Sequence, residues 1–193
     1  SKTSSKTSSK TSSKTSVFSD GTLTKFIKDS LYDPWEGTDF QGYVHMGPKQ
    51  KGEFGEMVVE RLAKERGHSV SRAETSTAPY DRLIDGYRTE IKFSLAIRNH
   101  KEGGVTANRF IINHAAKNKD WDRFIFVCIN GSEESDWVIK WFSKEDFVNH
   151  LNSPDCLFRK QQGGRGGGND DYMCSGSNSE RLISQPWVHS FSL

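Results

Sequence analysis

The sequence predicts an α/β domain in which a central mixed β-sheet carries a two-stranded hairpin and is flanked by helices. Three observations support that class. Residues 78–94 hold two alternating runs around Asp85-Gly86, a dipeptide suited to a type I′ turn because both central residues need positive φ. Residues 123–129, Arg-Phe-Ile-Phe-Val-Cys-Ile, are a nearly continuous apolar run of strand length, as expected for a strand covered on both faces. Between Pro48 and Gly67 lies the strongest helical pattern of the chain, with proline suited to the first turn and glycine to the position just past the end. A helix, a sheet with its hairpin and a later covering helix make a layered architecture.

The chain has 193 residues, enough for one domain with a sizeable core. Its formal charge of +2 is unevenly distributed. Residues 1–16 are four copies of Ser-Lys-Thr-Ser with Lys2, Lys6, Lys10 and Lys14 and no acid, leaving 23 Lys and Arg against 25 Asp and Glu in the rest. With no large apolar side chain this repeat cannot build a core, so a disordered tail over 1–16 and a single domain over 17–193 are expected. Any binding to nucleic acid must then rest on local basic patches rather than bulk charge. No apolar run reaches membrane-span length, and the first residues lack the apolar core of a secretory signal. Three cysteines, Cys128, Cys156 and Cys174, form no CxxC pair. Cys156, Cys174, His150 and His189 fit no standard zinc spacing. A reducing, cytoplasmic location is the expectation.

Taken in order, residues 22–32 place Leu23, Phe26, Ile27 and Leu31 at helical spacing, a short packing helix. Residues 33–43, with Pro34, Gly37 and Gly42, read as loop. In the helix from Pro48, Phe54, Met57, Val58 and Leu62 form the predicted buried stripe, and Glu53, Glu56 and Glu60 a neighbouring one. Gly52 and Gly55 weaken that helix by about 1 kcal/mol each relative to alanine, but they permit close approach of another backbone. A first strand is centred on Val70, and the hairpin follows. Beyond it come a polar loop over 96–105, a strand at 109–113, the apolar strand 123–129, and a strand at 137–142. Ser143 then caps a helix with Asp146 three residues on, and Phe147, Val148 and Leu151 lie on its inner face. The last stretch, with Ile183, Trp187, Val188 and Phe191, is apolar enough to dock back on the domain.

The hairpin also carries the chemistry. With a two-residue loop, Ile84 pairs with Tyr87, and Asp81 then lies opposite Glu90, with Lys92 two residues on along the same face. That face reads Asp81, Leu83, Arg88, Glu90, Lys92; the other, from Tyr80 and Arg82 through Phe93, is mostly core material. Two facing carboxylates repel each other, and a hard divalent ion compensates that repulsion best. Mg²⁺ takes one or two carboxylates, keeps several waters and accepts phosphate oxygens. It lowers the pKa of a bound water, which a neighbouring amine can orient.

Asp81 followed by Glu90-Ile91-Lys92 after a tight turn resembles the PD-(D/E)XK motif of the restriction-endonuclease-like nucleases, over roughly residues 52–142. The Pro of that motif is displaced by one, in Pro79-Tyr80-Asp81. The resemblance implies a restriction-endonuclease-like layered fold and a Mg²⁺-dependent endonuclease acting on double-stranded DNA, most like a type II restriction enzyme, with Mn²⁺ as a substitute ion. Asp81, Glu90 and the Ile91 carbonyl would hold the metal, Lys92 would position the attacking water, and Glu56 matches the helix glutamate that often reaches such sites. Cutting both strands would favour a homodimer. The same motif serves homing, nicking and repair or recombination nucleases, and a non-catalytic DNA-binding module is the alternative from another class.

Candidate DNA contacts fall in two regions. Arg98, Lys101, Asn108 and Arg109 follow the hairpin. Gln161, Gln162, Arg165 and Asn169 lie in a glycine-rich loop at about 161–170, with side chains able to pair with base edges. That loop has no Gly-Lys-Ser/Thr, and it does not follow a strand and open a helix, which argues against a nucleotide-binding loop.

Overall fold

The computed structural model describes residue 16 and residues 19–96, 106–161 and 170–191. The N-terminal repeat up to Thr15, Arg98, Lys101, Gln162, Arg165 and Asn169 lie outside the described residues. The chain divides into two compact units, the first ending at Asp33 and the second beginning at Pro34. In the first, helix α1 (Thr22–Leu31) starts behind Gly21 at φ 77°. Asp20 accepts hydrogen bonds from the Thr22 N–H and hydroxyl, which holds its carboxyl below the usual range. The sequence predicts a packing helix here, but no residue of α1 is buried.

The second unit holds the sheet. Its elements are α2 (Pro48–Glu65), β1 (Val70–Arg72), β2 (Arg82–Ile84), β3 (Tyr87–Leu95), β4 (Ile111–Ala116), β5 (Arg123–Ile129), β6 (Trp137–Ser143), α3 (Lys144–Leu151), β7 (Arg159–Lys160), β8 (Asp171–Ser175), α4 (Ser177–Leu182) and β9 (His189–Ser190). Six strands form one mixed sheet in the order β1-β2-β3-β5-β6-β9, and β4-β8-β7 form a second, smaller sheet. Only β3 and β5 run parallel among the strand pairs of the described residues. That crossover places β5 at the centre, where every residue after Arg123 is buried, as its unbroken apolar run demands. Among the described residues no helix is long and apolar enough to cross a membrane.

Because side chains alternate along a strand, the register sorts the central sheet into two faces. Thr89, Ile91 and Phe93 share one with Ile125 and Val127, and Glu90 and Lys92 share the other with Phe124 and Phe126. On the second face an aromatic layer forms: Phe124 stacks on Phe142 at 4.8 Å, Phe142 on Phe147 of α3 at 5.6 Å, and Phe126 on Phe110 at 5.4 Å. Ser143 Oγ accepts from the Asp146 N–H at 3.1 Å and caps α3. The C-terminal stretch docks through Leu182, Val188 and Phe191, all buried, and β9 pairs with β6.

Helix α2 covers the first face, rotated from the predicted stripe. Its buried residues are Gly55, Val59, Leu62 and Ala63, whereas Met57 is 40% exposed. The reason is size. A Cβ added at Gly55 would lie 2.4 Å from the Phe93 Cβ, so glycine lets the helix backbone settle directly on β3. Gly55→Ala should therefore lower stability by about 1–2 kcal/mol despite alanine's better helix propensity. Gly52 meets nothing within 4 Å, and Gly52→Ala should instead stabilise by up to about 1 kcal/mol. Thermal denaturation of the two variants checks both signs. Trp35 and Phe40, in the stretch predicted as loop, are also buried in the core.

Candidate active site

The hairpin has the expected type I′ geometry, with Asp85 at φ 52° and Gly86 at φ 81°. Its register runs Ile84 to Tyr87, Leu83 to Arg88 and Arg82 to Thr89. Asp85 is held from behind: its carboxylate accepts from the Ser69 N–H at 2.9 Å and lies 2.6 Å from His68 Nδ1. The His68 contact keeps the Asp85 carboxyl low.

Asp81 sits one residue before the β2–β3 ladder begins. Its N–H still donates to the Thr89 carbonyl at 3.0 Å. Its carboxylate then takes over from the backbone, accepting from the Ile91 N–H at 2.8 Å. This bond aims Asp81 at the Glu90-Ile91-Lys92 stretch. Glu90 is buried at 6% exposure rather than presented to solvent. Its Oε1 lies 3.2 Å from Lys92 Nζ. Burial pushes the Glu90 carboxyl up; Lys92 and Lys119 pull it down, and Asp81 pushes it up again.

Glu56 arrives from α2, carried in by the close Gly55–Phe93 approach. Burial first, then the Asp81 charge and a hydrogen bond shared with Asp81, push its carboxyl up to about 7, against the pull of Arg82. Asp81, Glu90 and Glu56 thus interact electrostatically from three positions on two kinds of element. Glu56, Asp81, Ile91 and Lys92 together line a cleft of about 740 Å³ that also includes Lys51, Asn113 and His114.

Arg82 is the residue that sequence reasoning missed, having placed it on the core face. Its guanidinium donates to Glu60 at 3.2 Å, to Glu56 at 3.3 Å and to the Asp81 carbonyl at 2.8 Å. An arginine inside an apolar alternation, opposite a helix with three spaced glutamates, was the available signal. Lys119, on the turn before β5, is a second cation acting on Glu90 that the sequence did not single out. Of the candidate DNA contacts, Asn108 exchanges two hydrogen bonds with the Asn130 side chain, at 2.8 and 2.9 Å. Arg109 reaches Glu180 at 3.3 Å. The Gln161 amide is engaged with His114. As DNA contacts, Asn108 and Gln161 would first have to exchange these internal bonds.

The Glu56 shift has a stability consequence. A carboxyl whose folded pKa is raised stabilises the fold relatively below its ordinary value of 4.5 and loses that contribution as pH rises through about 7. Glu56→Gln removes the titration. Without divalent cations it should therefore be more stable than wild type at pH 8, by about 1–2 kcal/mol after discounting for partial solvent screening. The gain should vanish near pH 4.5. Melting temperatures of both proteins across that range check the sign.

The donor set suits a hard cation. All candidate ligands are oxygens, and Mg²⁺ needs only one or two carboxylates before waters and phosphate complete its shell. Among the described residues no group of three or more His, Cys, Asp or Glu is placed to hold a metal ion.

No protein-family model matches the sequence, and no curated protein does. Among solved structures, a bacterial homing endonuclease aligns with a TM-score of 0.39 and 16% identity, over 62% of this chain and 86% of that one.

Proposed function

We propose that this chain is a metal-dependent endonuclease that hydrolyses phosphodiester bonds in double-stranded DNA. The observation that carries the reading is the convergence of Asp81, Glu56 and the Lys92 amine on one cleft, with the buried Glu90 carboxyl 3.2 Å from that amine. Crowded carboxyls, two of them pushed upward in pKa, are a configuration that a divalent cation relieves. Asp81 and Glu90, with the Ile91 carbonyl, are the proposed ligands of Mg²⁺ or Mn²⁺. When bound, such an ion supplies charge neutralisation at the phosphate and an acidified water.

The chain's own residues then have separable tasks. Asp81 is fixed by the Ile91 N–H, so its second oxygen is presented with little freedom to reorient. Lys92 donates toward the attacking water or the developing charge on phosphate. Glu56, which shares a hydrogen bond with Asp81, takes a proton or a second water. Arg82 steadies Glu56 and the Asp81 backbone together. The finer reading, a type II restriction-like homodimer that cuts both strands of a palindromic site, follows from the motif resemblance and from one site cutting one strand.

Incubation with supercoiled plasmid tests it. Nicked or linear product with Mg²⁺ or Mn²⁺, abolished by EDTA, is expected. Binding of DNA with no cleavage under any divalent ion would favour the non-catalytic module instead.

A further inference from the structure

We infer that His114 is a substrate-contacting residue that holds a backbone phosphate of the DNA at the edge of the Asp81–Lys92 cleft. The inference rests on the nuclease reading above and adds a residue that the motif does not contain. His114 stands at φ 53°, a left-handed conformation that a residue other than glycine adopts at a cost. It does so in a bulge of β4, where the register with β8 shifts between Ile112 and Ala115. Bulges re-aim side chains at the margins of sites, and this one puts His114 on the wall of the cleft shared with Asp81, Ile91 and Lys92.

Two residues grip it. Nδ1 lies 3.1 Å from Asp171 Oδ2; a carboxylate only accepts, so Nδ1 carries a hydrogen and Nε2 faces away from Asp171. Gln161 Oε1 accepts from the His114 backbone N–H at 2.8 Å, while the Gln161 Nε2 lies 3.2 Å from the imidazole Nε2. The His114 side chain remains half exposed. In the imidazolium form the Nε2–H is a charge-assisted donor. The Gln161 amide is a second donor within 3.2 Å of it. An incoming phosphate can accept from both, the amide turning from the ring nitrogen to a phosphate oxygen. The phosphate needs no particular base, so the contact sets the position of the strand rather than the sequence read.

Counterion release separates this role from a structural one. A cation that touches phosphate contributes to the salt dependence of binding; a hydrogen-bonding clasp that only holds β4 to β8 does not. Asparagine tolerates the left-handed backbone and carries no charge, so His114→Asn is the variant of choice. Binding of a mixed-sequence duplex is measured by fluorescence anisotropy in EDTA at pH 5.5, between 50 and 200 mM salt, for wild type and variant. The expected result is roughly three- to tenfold weaker binding at low salt and a log–log slope reduced by about 0.9. Weaker binding with an unchanged slope, or no change at all, overturns the phosphate contact. If wild type itself neither binds nor cuts DNA, the nuclease reading has failed first. A measurement on the wild-type chain guards against misfolding of the variant: the same duplex should protect His114 from carbethoxylation by diethyl pyrocarbonate, read by peptide mass. A His114 that reacts equally with and without DNA overturns the inference as well.

Discussion

Asp81→Asn and Glu90→Gln are each expected to abolish DNA cleavage, by at least about 10³-fold, while leaving the fold and duplex binding nearly intact. Both substitutions preserve shape and remove charge. In Asp81→Asn the side-chain carbonyl can still accept from the Ile91 N–H, the 2.8 Å bond that orients this residue. Glu90→Gln replaces a carboxyl that burial already pushes up in pKa, so the metal-free protein should not lose stability. What disappears is negative charge for a divalent cation, worth several kcal/mol of transition-state stabilisation. Calorimetry should show Mn²⁺ binding weakened in both variants, and plasmid assays should show no product above background. Wild-type cleavage by either variant would remove that residue from the chemistry.

The parts of this site that were legible in the sequence were those set by local rules. Asp85-Gly86 fixes a type I′ turn, the turn fixes the register, and the register brings Asp81 near enough to Glu90 for the two charges to interact. Each step involves neighbours within a dozen residues, and every observed pair follows it. The central strand was equally legible, since seven residues from Arg123 to Ile129 have no other reasonable setting. Ser143 signalled its cap through Asp146.

Long-range packing was less visible. The α2 stripe is rotated because close contact with β3 at Phe93 requires the smallest residue, Gly55, and leaves Met57 exposed; hydrophobic periodicity weights side chains by apolarity and is blind to close approach. The second sheet leaves little signal in the sequence because β7 has two residues, and β8 begins directly after a glycine-rich stretch with no alternation. Strand alternation places Arg82 on a core face. In the folded chain that face meets α2, where Glu56 and Glu60 satisfy its guanidinium. Periodicity assigns a face correctly and says nothing of the partner across it.

Lys92→Met should lower kcat by roughly 10²–10³-fold, change KM for the duplex only a few-fold, and leave Mn²⁺ binding close to wild type. Methionine retains most of the apolar stem and deletes the amine. Lys92 Nζ lies 3.2 Å from the buried Glu90 carboxylate, and it is the main charge holding that carboxyl down against burial. Losing it leaves a buried acid with one fewer cation, so the Glu90 carboxyl rises further. The metal-free variant should then lose stability as pH rises above the ordinary carboxylate range, because a raised carboxyl withdraws its stabilisation on ionising. Combining Lys92→Met with Glu90→Gln removes that pH-dependent loss, since no charge is left uncompensated. Catalysis, by contrast, should not return in the double variant. That split separates the two tasks of the amine: compensating Glu90 in the resting protein, and acting on water or phosphate during the reaction. If Lys92→Met loses only stability and cuts at the wild-type rate once folded, Lys92 is a structural partner of Glu90 and the attacking water is oriented by another group.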